Sequence, residues 1–138
     1  MSETGKRSIS NENNVMTENI TGVIQHHAQV DAIYLYGSRA KQTEHEHSDW
    51  DIAVIFSDYE TDLSARLLRP QLLEAAIERE LKLYNQISVI DLETAPVYLQ
   101  YSILMSAVKM FDRNVPHVKR LEQGILSKWE NDYERYCL

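Results

Sequence analysis

The sequence predicts an α/β domain, a small mixed β-sheet packed with α-helices, on three observations. Short runs rich in β-branched and aromatic residues, VDAIYLY, WDIAVIF and QISVIDL, alternate with longer stretches of helical periodicity. At 138 residues the chain fits one domain, large enough to hide roughly two thirds of its unfolded surface without a metal staple or a disulfide. No repeat, linker or second domain interrupts the pattern.

Taken in order, MSETGKRSISNENN at residues 1–14 has little to bury and reads as a disordered tail, leaving 15–138 as the domain. From Val15 to Gln29, Ile20, Val23, Ile24 and His27 recur at helical spacing, with Gly22 a modest defect. Val30–Tyr36 is a strand that ends in a tight turn at Gly37. Trp50–Phe56 is almost continuously apolar, which suits an interior strand covered on both faces. A helical region spans 61–83, where Pro70 either kinks one helix or opens a second after a break at Arg69. Gln86–Leu92 is a third strand, Val97–Val108 a helix, and Lys109–Phe111 a short edge strand. In the last helix, about Val115 to Tyr136, the residues Val118, Leu121, Ile125, Trp129, Tyr133 and Tyr136 form one long stripe. That stripe is most economically core, with Tyr133, Tyr136 and Leu138 left over for a partner surface.

The formal charge of -7 disfavours a broad interface with nucleic acid, whose phosphates would be repelled. A nucleotide bound locally is still accommodated. No stretch approaches the length of a membrane span, the first fourteen residues lack the apolar core of a secretory signal, and the single cysteine, Cys137, mildly favours a reducing compartment. The expected location is the cytoplasm.

Chemistry concentrates in GSRAKQTEHEHSDWD at residues 37–51. On a strand, residues two apart share a face about 6.5 Å apart, so Asp49 and Asp51 turn to one site and Trp50 turns away. Two converging carboxylates repel each other unless a cation lies between them, and an all-oxygen ligand set suits magnesium or manganese. Gly37 lets the backbone approach closely, and a short helix after it would direct N–H groups and the Ser38 hydroxyl at phosphate oxygens. A third oxygen ligand is needed for two metal ions; Asp91, at the end of a separate strand, is the best candidate and is expected to neighbour Asp51 across the sheet. The plainer readings are a loop cap for Asp49 and Asp51, a turn residue for Asp91 and a helix cap for Ser38. For His45 and His47, within EHEH, solvated polarity outweighs a structural zinc.

The Gly-Ser pair, ten residues, then Asp-Trp-Asp inside GSRAKQTEHEHSDWDIAV, with a later isolated aspartate, resembles the nucleotidyltransferase fold of the polymerase β superfamily. In its small size the chain resembles the minimal nucleotidyltransferase (MNT) antitoxins of the MntA type, which pair with HEPN ribonuclease toxins. The resemblance implies ATP with its β and γ phosphates at Gly37 and Ser38, nucleotide contacts from Arg39 and Lys41, and two ions bridged by Asp49 and Asp51. Asp91 would hold the ion that activates the acceptor hydroxyl. The implied activity is transfer of AMP to a tyrosine of a HEPN partner, which silences it. Many relatives carry a second Arg-Gly pair where this sequence has Lys41-Gln42, and a smaller residue at Trp50. Two rivals stand beside this reading: a nucleotidyltransferase acting on a cationic small molecule such as an aminoglycoside, and an inert antitoxin that inhibits by binding alone. The first needs an acceptor pocket for which the chain has little length to spare; the second would survive loss of the aspartates.

Overall fold

The computed structural model describes residues 11–41 and 49–137. Helix α1 (Asn11–His27) leads into strand β1 (Val30–Tyr36), a single helical turn α2 (Ser38–Lys41) and strand β2 (Trp50–Phe56). Helix α3 (Leu63–Leu81), strand β3 (Ile87–Asp91), a 3-10 turn at Leu92–Thr94, helix α4 (Val97–Ser106), strand β4 (Val108–Asp112) and helix α5 (Pro116–Cys137) follow. The sheet order is β3-β2-β1-β4. Strand β1 runs antiparallel to both β2 and β4, whereas β2 and β3 are parallel. This is the mixed sheet expected from the alternation of strands and helices.

The sheet is covered on both faces, as the almost continuous apolar run of β2 requires. On one face, Ile20 and Ile24 of α1 and Leu73, Ala76 and Ile77 of α3 pack with Ile33, Leu35, Ile52 and Val54. On the other, Ile103 of α4 and Val118 and Ile125 of α5 pack with Ala32, Tyr34, Ala53 and Ile55. Helices α4 and α5 are further joined by Tyr101 stacked on Trp129, with ring centroids 4.6 Å apart. The side chains of Tyr133, Tyr136 and Leu138 lie outside the described residues.

Several boundaries differ from the sequence reading, and helix α4 stops at Ser106 rather than Val108, because Val108 already opens β4. Helix α1 begins at Asn11, inside the segment read as tail, and ends at His27 rather than Gln29; polar NENN has no apolar periodicity to reveal it. Residues 1–10 of that tail lie outside the described residues. Of the two readings of Pro70, the single helix holds: the residue sits inside α3, with no break at Arg69, and the ends of α3 are fixed locally. Asp62 accepts a hydrogen bond from the Ala65 amide at 2.9 Å, and Lys82 takes a left-handed φ of 58° that ends the helix. Strand β4 is longer by one residue at each end than Lys109–Phe111.

The two ends of the sheet differ in chemistry. At the start of β1, the buried Asp31 accepts hydrogen bonds from Ser57 Oγ (2.7 Å), Arg113 Nη1 (3.1 Å) and His117 Nδ1 (2.8 Å), while its carbonyl accepts from the Arg113 amide (2.8 Å). Burial pushes the Asp31 carboxyl up, but the bonds from His117, Ser57 and Arg113 outweigh it and hold the group below the usual carboxylate range. An ionised carboxylate only accepts, so Nδ1 of His117 carries the proton. This network fastens β1, the end of β2 and the start of α5 together. The opposite end is left for the Gly-Ser turn.

Candidate active site

Antiparallel pairing of β1 with β2 sets Tyr36 opposite Asp51, so the end of one strand meets the start of the other. Gly37 leaves β1 with a φ of 77°, in the left-handed region, and its carbonyl accepts from the amides of Ala40 and Lys41, both at 3.2 Å, which winds α2. Glycine is required there for a second reason. A Cβ at Gly37 would collide with Oδ2 of Asp51 and stand 3.2 Å from its Cγ. The Gly-Ser turn and the second aspartate are therefore in direct apposition. In the chain, Ser38 and Asp49 are joined by residues 39–48, of which 42–48, His45 and His47 among them, lie outside the described residues.

Asp51 is half-buried, and burial first, then the charge of Asp49, pushes its carboxyl above the ordinary value. Asp49, one residue before β2, is exposed. A carboxylate whose ionisation is made costlier by an acidic neighbour suits a divalent cation, so Asp49 and Asp51 fit one such ion by the chemistry of their donor set. Tyr36 shares the Asp51 face, and burial, followed by the Asp51 charge, pushes its hydroxyl up to about 12.

Asp91 is not where the sequence reading put it. In the parallel pairing of β2 with β3, Asp51 faces Ser88 and Asp91 faces Val54, three residues further along, roughly 10 Å away in the strand direction. Paired residues share a face, and residues three apart lie on opposite faces, so Asp91 turns toward the α3 layer and Asp51 toward the α4 and α5 layer. Asp91 caps the 3-10 turn instead: Oδ1 accepts from the Glu93 amide at 2.9 Å. Burial holds its carboxyl above the ordinary value, helped by the Glu93 charge and opposed by the Glu93 amide and the charges of Arg69 and Arg66. The expectation that Asp91 neighbours Asp51 is thereby corrected. Among the described residues, no group of three or more His, Cys, Asp or Glu side chains gathers as a metal site would.

Arg39 and Lys41 part company within α2. The Arg39 guanidinium is buried over the Trp50 ring, 4.2 Å from its centroid, whereas Lys41 is exposed. Trp50 turns away from Asp51, as strand alternation requires, and joins the α1 and α3 core. The residues missed by sequence reasoning are Tyr36 and Ser88, which flank Asp51; only the pairing register identifies them. His117, isolated in the sequence, has its partner Asp31 eighty-six positions away.

The sequence matches the family model described as polymerase beta, nucleotidyltransferase, over residues 18–115. No curated protein matches it. Solved structures share the fold. A chain from a crystal structure of a toxin–antitoxin with AMP-PNP superposes with a TM-score of 0.65 at 22% identity, covering 91% of this chain and 92% of that one. A chain from a tri-AMPylated Shewanella oneidensis HEPN toxin in complex with MNT antitoxin gives 0.65 at 18% identity, covering 88% and 89%. One from the toxin–antitoxin MntA–HepT gives 0.64 at 18%, covering 88% and 90%. At these identities the likeness is one of fold.

Proposed function

The chain belongs to the polymerase β nucleotidyltransferase family, and from that premise we propose that it is an antitoxin adenylyltransferase, which transfers AMP from ATP to a tyrosine of a cognate HEPN ribonuclease toxin and so neutralises it. The observation that carries the reading is the apposition of the Gly37 turn with Asp51 at one end of the sheet. The acceptor is supported by the fold shared with chains from complexes that hold AMP-PNP or an AMPylated HEPN toxin.

Asp49 and Asp51 would hold a magnesium or manganese ion, whose chemistry there would be to neutralise charge on phosphate oxygens and to favour ionisation of the acceptor hydroxyl. The chain's own residues do the rest. Gly37, lacking a side chain, lets the triphosphate approach the backbone; Ser38 offers a hydroxyl donor, and Lys41 adds positive charge beside the turn. Arg39 holds α2 against Trp50 rather than reaching outward. In the transfer, the tyrosine oxygen bonds to the α phosphorus and the bond from that phosphorus to the bridging oxygen breaks. Pyrophosphate leaves with the electron pair, and the phenolic proton passes to solvent.

One observation favours a second reading, inhibition by binding alone: Asp91 stands away from the other two aspartates. Intact-mass measurement separates the two. With ATP, magnesium and the HEPN partner encoded beside it, the transferase reading requires AMP-sized increments on the partner. An unmodified partner that is nevertheless inhibited supports binding alone.

A further inference from the structure

Two divalent ions bridged by carboxylates need three such groups in reach; among the described residues, Asp49 and Asp51 stand near one another and Asp91 lies apart. Resting on the transferase reading above, we propose that this chain holds a single divalent ion, at Asp49 and Asp51, and that Ser88 occupies the place from which a third carboxylate would reach a second one.

The placement follows from the strands. Ser88 is the second residue of β3 and pairs with Asp51, the second residue of β2, so both side chains lie on one face, about 4.8 Å apart in strand spacing. Ser88 is partly exposed, on the same side of the sheet as Tyr36. A neutral hydroxyl is a weaker ligand for a hard cation than a carboxylate. Asp91 cannot substitute by a change of rotamer, because its strand position points it to the opposite layer, where it is buried and bonded to the Glu93 amide.

The test counts ions rather than turnover. Chain saturated with AMP-PNP and Mn2+ is freed of unbound ligand, and bound manganese is measured by electron paramagnetic resonance after acid release. One ion per bound nucleotide is expected for the wild type and for Asp91→Asn, and two for Ser88→Asp. Two ions in the wild type, or loss of an ion in Asp91→Asn, overturns the proposal, and these two results decide it even where Ser88→Asp fails to fold. A chain that retains no AMP-PNP overturns the transferase reading itself, and this inference with it.

Discussion

Gly37 is pressed against Asp51: a Cβ there would overlap the carboxylate unless Asp51 moved, and the φ of 77° already disfavours one. Gly37→Ala is therefore expected to cost roughly 1–3 kcal/mol in stability and to displace Asp51. Urea denaturation reads the first effect, and loss of AMP-PNP binding the second.

Asp51 has a second consequence, in pH. Its carboxyl is raised in the folded chain by burial and then by Asp49. A raised acid favours the folded state below its unfolded pKa, and that contribution is lost as pH rises through the folded value. Without divalent ions, Asp51→Asn is expected to remove this loss and be at least as stable as the wild type at pH 7, while its AMP transfer falls by more than ~100-fold, beyond what damage around a metal site usually causes. Thermal unfolding across pH, alongside the transfer assay, checks both.

Asp31 has the opposite sign. Held below the usual range, it stabilises the fold fully above its unfolded value of about 3.9 and loses that contribution as pH falls through the folded value. Asp31→Asn is expected to cost about 1–3 kcal/mol at pH 7 and to flatten the acid limb of the stability curve. It lies at the other end of the sheet, so AMP-PNP binding should persist.

Asp91 caps a turn and faces away from Asp51. Asp91→Ala is expected to cost about 0.5–2 kcal/mol in stability and to leave transfer within a few-fold of wild type at a temperature where both are folded. A loss comparable to that of Asp51→Asn would restore it to the catalytic set.

Arg39 is stacked on Trp50. Arg39→Ala is expected to lower stability by about 0.5–2 kcal/mol, whereas Lys41→Ala, at an exposed position, should leave stability unchanged. Melting temperatures of the two variants distinguish them.

What was legible in the sequence was local. Trp50–Phe56 is the observed β2 because polar residues bound an apolar run, and Gly37 and Asp51 lie in one short stretch of sequence, brought together by the antiparallel pairing of β1 with β2. Asp91 belongs to a different strand, and its place depends on where β3 starts against β2, which no local pattern encodes. One clue was present: Asp91 shares its parity with Ile87 and Val89, the buried apolar residues of β3, rather than with Ser88. The start of α1 was hidden by polar residues, and the Asp31–His117 pair by sequence distance.

The most direct test is a crystal of the chain with AMP-PNP and Mn2+, read by anomalous scattering. Manganese is expected within about 2.0–2.3 Å of carboxylate oxygens of Asp49 and Asp51, with the triphosphate against Gly37 and Ser38. Nucleotide bound elsewhere, or manganese on Asp91 instead, would contradict this placement.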